Sequence, residues 1–389
     1  MYYLMNKDTK IAKFHIDGFG NEQIGVIIEF YENEGQSLPW YINDFTDWLK
    51  SRTCGDEREN ISLYKAKMGL DRLDTLIRYN HCMSLHDTLW VNTTDQFLNW
   101  DDVKYYGQIL NQAIHTPILE TLNFGYIGTL PELSTPGQTP KIWIGKNDGK
   151  QYMVRGKSPK LIDGTYSIAV ELMASPIFEA LCGGVAYRPE DINGQIYSMC
   201  ERFTDEDYGL ESTMFTNKHG QDLDKEMKGV HDYYYNDIIR RFIVASCITV
   251  NAYDNTDLLL HVDNNSSEIV GPAKPHDYTK CLFPEISGMC TVNKFDNVVN
   301  ACYNDGLDRH HFAAAMEVMT PEIKQDLINL RGIKLECPID SISKEWVDVR
   351  TAFVNEYINV LLNGRRDFVF HDTKKSSVSS LLAKAEGSR

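Results

Sequence analysis

Residues 141–156 read KIWIGKNDGKQYMVRG, and residues 165–181 read TYSIAVELMASPIFEAL. In the first stretch, strand-forming residues flank Asn147-Asp148-Gly149, a tight-turn triplet, so a β-hairpin is expected. The second stretch predicts a helix of mostly apolar residues. GVAYRPEDING (184–194) and QIYSMCERF (195–203) read as two further strands. Beyond about Asp205 the periodicity turns helical, in DKEMKGVHDYYYNDIIRRFIVASCITV (224–250), with one more apolar β-run, LLLHVD (258–263). Helices then dominate to about residue 365. The last segment, TKKSSVSSLLAKAEGSR (373–389), is Ser/Lys-rich and is expected to fray.

Upstream of the hairpin, residues 1–35 read as a short β meander: KIAKFHID (10–17) and IGVIIEFY (24–31) joined by a turn-forming GFGNEQ. From Leu38 the spacing of Trp40, Ile42, Phe45, Trp48 and Leu49 is helical, as is that of residues 56–70. Gly69-Leu70-Asp71 is expected to close one helix and cap the next, DRLDTLIRYN (71–80). Residues 84–92 are compact and aromatic, a helix opens at Trp100-Asp101-Asp102, and Pro131, Pro136 and Pro140 mark a linker. No internal repeat is evident.

The 389 residues are enough for two or three units. A hydrophobic share of 42% excludes wholesale disorder. Lys and Arg number 39 against 55 Asp and Glu, a formal charge of -16, which disfavours general nucleic-acid binding. Nine scattered cysteines without a CxxC motif fit reduced thiols and a cytoplasmic setting, with no Cys-based zinc site. No apolar run approaches the roughly 20 residues of a membrane helix, and no secretory signal is visible.

Hairpin, helix, strands and then a helical lobe is the order of a bilobal kinase, in which a β-hairpin covers the triphosphate. Several further segments strengthen that order: WLKSR (48–52) with DEREN (56–60), SLHDTLWV (84–91), WDDV (100–103), SMCERFTDEDYG (198–209) and HVDNNSSEIVGPAKPHDYTKCLF (261–283). With the hairpin in its place, the chain resembles the HipA-like atypical Ser/Thr kinases, including their CtkA-type branch. The resemblance implies an α+β, bilobal protein-kinase-like (HipA/PI3K-like) fold with an α-rich N-terminal module. The implied division is 1–125 for that module, 126–205 for the upper lobe, 206–370 for the helical lower lobe and 371–389 for a flexible tail.

The same resemblance implies ATP and Mg²⁺ as cofactors and a site for them. Gly145, Asn147 and Gly149 fall on the phosphate-covering hairpin, and Glu201 and Phe203 on the strand that connects the lobes. The hairpin lysine of the family falls on Arg155, which keeps the charge but changes a point into a planar fork. The helix glutamate that orients that cation falls on Ile168, with Glu171 one turn on as a substitute. The metal positions fall on Asp257 and Asp277. Counting back without a gap from the strand 258–263 puts the catalytic aspartate on Ala252, a methyl that cannot accept a proton. Losing such a group costs about 10²–10⁴-fold in rate.

Three functions remain open on this reading. One is a degenerate kinase that binds a protein partner in a bacterial toxin–antitoxin or mobile-element setting. Another is an active Ser/Thr kinase using Asp254 in place of the missing acid. The last is a scaffold without nucleotide. Plainer readings stand beside the site residues: Asp254, Asp257 and Asp277 as turn residues, Arg155 as a surface ion-pair member, and Trp40, Phe45, Trp48 and Tyr233–Tyr235 as packing surface. His261 and His276 lack the partners that zinc needs. Asp308-Arg309-His310-His311 imitates a catalytic triplet but lies some fifty residues too late and reads as a helix start.

Overall fold

The computed structural model of the chain describes residues 1–31, 38–39, 41–42, 44–52, 65–66, 69, 71–95, 98–104, 139–146, 148–157, 163–212, 237–249, 259–278, 281–282 and 314–363. Asn147, Ala252, Asp254, Asp257, the Asp308–His311 triplet region, Trp40, Tyr233–Tyr235 and the Ser/Lys-rich tail lie outside them.

Strands run as β1 (Tyr2–Asn6), β2 (Thr9–Asp17), β3 (Ile24–Phe30), β4 (Leu89–Thr93), β5 (Lys141–Gly145) and β6 (Gln151–Arg155). They continue as β7 (Tyr187–Ile192), β8 (Gln195–Glu201), β9 (Tyr208–Ser212), β10 (Leu259–Asp263) and β11 (Ile269–Pro272). Described helices are α1 (Phe45–Ser51), α2 (Leu73–Asn80), α3 (Trp100–Val103) and α4 (Thr165–Cys182). They are followed by α5 (Asp237–Thr249), α6 (Pro321–Leu330) and α7 (Lys344–Asn363). The chain divides into two compact units. One comprises Met1–Pro159, Glu201–His219 and Leu259–Ala273; the other comprises Lys160–Cys200, Gly220–Leu258 and Lys274–Arg389.

In the first unit, β1 to β4 form an antiparallel sheet in the order β3-β2-β1-β4. The expected meander is there, and residues 89–93, read as part of a helix-rich stretch, supply its fourth strand. Alternation turns Phe14 onto Phe45 of α1, edge to face with ring centroids 4.8 Å apart. Gly25 lets α1 approach closely, because a Cβ there would lie 2.6 Å from Leu49 Cδ1. Asp44 caps α1, accepting a hydrogen bond from the Asp47 N–H at 2.8 Å. Helix α2 buries Leu73, Leu76 and Ile77, the i, i+3, i+4 face that its periodicity predicts. Its cap is Arg72 rather than Asp71, without a side-chain cap bond.

The expected hairpin forms from β5 and β6, with Lys141 opposite Arg155 and Gly145 opposite Gln151. One expectation fails: beyond Asp205 the chain does not turn helical at once. Residues Tyr208–Ser212 are β9, and β11-β10-β9 make a separate antiparallel sheet. The cause is tertiary. The Gly209 Cα sits so close to the 84–88 segment that a Cβ would lie 2.0 Å from the His86 carbonyl oxygen. Next to it, the Leu210 N–H donates to that same oxygen at 2.7 Å.

The second unit is built on α4, whose residues Thr165 to Ser175 are buried apart from Tyr166. The helix ends at Gly183, in the left-handed region at φ +62°, with its N–H on the Glu179 carbonyl. The two strands expected at 184–203 are present as the β7–β8 hairpin, turned by Asn193-Gly194 at φ +55° and +80°. Helix α5 packs on α4 through Phe242 and Phe178, with centroids 5.8 Å apart. Arg241 of α5 forms an ion pair with Asp326 of α6. Arg350 of α7, 2% exposed, lies over the Trp346 ring at 3.5 Å.

Candidate functional site

The hairpin turn is fixed by its own backbone. The Lys146 N–H donates to the Lys150 carbonyl at 3.1 Å, and the Gly149 N–H to the Lys146 carbonyl at 3.0 Å, with Gly149 at φ +79°. Asp148 accepts from the Tyr152 hydroxyl at 2.6 Å and the Lys150 N–H at 2.9 Å, which holds its carboxyl below the usual range. Two cations ride on this turn: Lys146 over the Tyr152 ring at 5.2 Å, and Lys150, 2.8 Å from Glu201. Sequence reasoning overlooked both lysines. Their signal was present as two positive charges within a six-residue turn.

Arg155 is 3% exposed, at the open end of the hairpin, farthest from its turn, where the Gly156 N–H meets the Pro140 carbonyl at 2.8 Å. That burial rules out the surface ion-pair reading, because an exposed pair leaves its guanidinium in water. Glu201 is exposed and engaged by Lys150, while Phe203 is half-buried. Gly145 closes β5, and Gly149 supplies the positive φ of the turn.

In the second unit, Ile168 is 1% exposed and Glu171 is fully buried on the same helix. Glu171 accepts a hydrogen bond from the Ser198 hydroxyl of β8. A buried carboxylate needs such a donor to offset lost hydration. Ser198 was not singled out from the sequence, since a serine in an apolar strand carries no pattern.

Asp277 stands in a turn held from three sides. The Pro275 carbonyl accepts from the Tyr278 hydroxyl at 2.7 Å and from the Val185 N–H at 2.8 Å. Tyr278 is fully buried and stacked on Phe178 at 4.1 Å, and burial pushes its pKa well above the ordinary value. Beyond it, the Leu282 N–H donates to the Thr249 carbonyl at 2.8 Å, and Arg350 Nε to the Leu282 carbonyl at 2.8 Å. Asp277 itself adopts φ +62°, a left-handed conformation that aspartate tolerates better than most residues, and is half-buried. A half-buried carboxylate on a fixed turn is the hard oxygen donor that Mg²⁺ prefers. Thr249, the last described residue before the segment carrying Ala252, Asp254 and Asp257, is therefore bonded to the chain five residues beyond Asp277. Among the described residues, no group of three or more His, Cys, Asp or Glu is arranged to hold a metal ion. No helix among them is long and apolar enough to cross a membrane.

No family model matches the sequence. No characterised protein matches it by sequence either. Solved structures do match by fold. The proinflammatory kinase CtkA of Helicobacter pylori is 16% identical with a TM-score of 0.38, covering 63% of this chain and 95% of that one. HipA of the Shewanella oneidensis toxin–antitoxin system, solved with HipB and its operator DNA, is 12% identical with a TM-score of 0.53. That similarity covers 94% of this chain and 98% of HipA. The likeness to HipA shows a HipA-like fold of mixed helices and antiparallel sheets.

Proposed function

We propose that this chain is a kinase-fold protein whose active site lacks its proton acceptor and which acts by binding a protein partner. The observation that carries this reading is Ala252. It stands at the acceptor position when the loop is counted back from the strand, and β10 begins at Leu259, within one residue of the strand used for that count. A methyl group neither orients a hydroxyl nor takes its proton. The partner is the counterpart of an antitoxin, a role supported by the matched HipA, which is seen with HipB. The formal charge of -16 speaks against unaided contact with nucleic acid.

On this reading ATP-Mg²⁺ binds weakly or not at all. Arg155 would meet the phosphates, and Asp277 and Asp257 would hold the metal, which when bound neutralises phosphate charge. Calorimetry with ATP and Mg²⁺, run beside a radiolabelled autophosphorylation assay, tests the proposal. Weak or no heat and no incorporated phosphate are expected. Robust metal-dependent incorporation that disappears in Asp254→Ala would overturn it and establish an active kinase with a relocated acid.

A further inference from the structure

The segment Glu201–Thr204 is gripped in a way that the lobe-connecting role alone does not require. The Arg202 backbone N–H donates to the Gln151 carbonyl at 2.8 Å, and Arg202 Nη1 donates to Gln151 Oε1 at 2.7 Å. One residue thus holds both the main chain and the side chain of the first residue of β6. The same guanidinium donates from Nε to Thr204 Oγ1 at 2.9 Å, and the Thr204 hydroxyl passes its own proton to the Leu85 carbonyl, also at 2.9 Å. The chain of bonds therefore runs from the hairpin, through Arg202 and Thr204, to the turn at residues 84–88.

That turn is itself rigid. The bidentate, buried pair of Asp87 with Arg52 fixes it, with Nη–Oδ distances of 2.6 and 2.7 Å. A bidentate guanidinium–carboxylate pair adds geometric constraint as well as energy. Removal of the Thr204 hydroxyl would break two links at once, because it accepts from one neighbour and donates to the other.

We propose that Arg202 and Thr204 are positioning residues, forming a brace that fixes the phosphate-covering hairpin to the Ser84–Thr88 turn of the N-terminal sheet module. The brace deepens the reading above, since the segment it holds carries Glu201 and Phe203.

Hydrogen exchange read by mass spectrometry on the full chain tests this without requiring any activity. Thr204→Val keeps the shape and removes the hydroxyl, Arg202→Met removes the guanidinium, and Thr204→Ser restores the hydroxyl. In Thr204→Val and in Arg202→Met, amides of β6 should exchange roughly tenfold faster, with the thermal midpoint held within about 2 °C of wild type. Thr204→Ser should exchange at the wild-type rate, a rescue that a merely space-filling role would not distinguish from valine. Unchanged β6 exchange in both Thr204→Val and Arg202→Met, valine-like exchange in the serine variant, or a fall of the midpoint in step with exchange would overturn the brace. Binding of TNP-ATP with Mg²⁺ is measured on the same samples. A wild type that does not bind it removes nucleotide from the reading above and leaves the exchange result to decide the brace. A wild type that binds it should lose several-fold affinity in Thr204→Val, and equal affinity in the two would count against the positioning role.

Discussion

Arg52 shows how much a single side chain carries in this molecule. It leaves the end of α1, stacks over the Trp48 ring at 4.7 Å and turns inward to Asp87, with additional bonds to the Cys82 and Leu89 carbonyls. Both charged side chains are 6% exposed or less, so neither has water to fall back on. Arg52→Met is expected to cost about 3–5 kcal/mol, because it strands a buried carboxylate; urea unfolding followed by circular dichroism measures it. The sequence offered Arg52 only as part of WLKSR, and its partner 35 residues away has no local signature. Arg155 was legible as a charge in a strand, yet its burial came only from the fold. Glu179 carries a different test. Burial alone would raise its carboxyl, but Arg188 donates to both oxygens at 2.6 Å and Ser175 Oγ at 3.0 Å, leaving the pKa below that of an ordinary glutamate. A depressed folded-state pKa stabilises at pH above the unfolded value, about 4.3, and that stability disappears as pH falls through the folded value. Urea midpoints of wild type and Glu179→Gln should therefore differ at pH 7 and converge towards pH 3. Thiol reactivity provides another check: burial pushes Cys82 and Cys182 up to about 12, so both stay protonated at neutral pH. Native-state alkylation should label the half-buried Cys337 well before either of them.

Elements differ in how much of themselves they announce. The turns of the β5–β6 and β7–β8 hairpins carry turn-forming residues in the sequence, and Gly149 in the one and Asn193-Gly194 in the other supply the positive φ values that the turns require. Helix α4 was readable from its apolar length. Strand β9 was not, because Tyr-Gly-Leu-Glu-Ser has no alternation of its own and becomes a strand only by pairing with β10. The turn that carries Asp277 was placed by resemblance, and the physics that holds it lies in residues far apart in sequence. Gly184 is the sharpest case: a Cβ there would lie 2.3 Å from the Tyr278 hydroxyl oxygen and 3.0 Å from Phe178 Cβ. Gly184→Ala is expected to displace Tyr278 and to cost about 1–3 kcal/mol. The measurement is thermal unfolding together with hydrogen exchange of residues 275–282, which should rise more than exchange in α7. No rise there would show that Tyr278 does not hold the turn.

At the scale of the molecule, the two units interleave: the chain leaves the first at Pro159, returns at Glu201, leaves after His219 and returns again at Leu259. Neither unit is a continuous stretch, a feature no composition shift or linker in the sequence announced. A fragment ending at residue 159 would lack Glu206, which receives Trp100 Nε1 at 3.2 Å and Lys104 at 3.1 Å. It would also lack Asn264, whose carbonyl receives the Asn6 side chain at 2.7 Å. Such a fragment is expected to melt well below the full chain, as followed by the fluorescence of Trp90 and Trp100.

Interleaving also has a consequence for birth on the ribosome. Between the emergence of Pro159 and that of Ala273 lie 114 residues, the difference of the two positions. At about 5–20 residues per second, translation takes roughly 6–23 s to cover that distance. Gly209 and Leu210, which fill the niche beside His86, emerge part-way through that interval, and Asn264, the partner of Asn6, only near its end. Until then the nascent N-terminal sheet waits without its full set of partners, so heat-shock holdases have a defined window and address in which to shelter it.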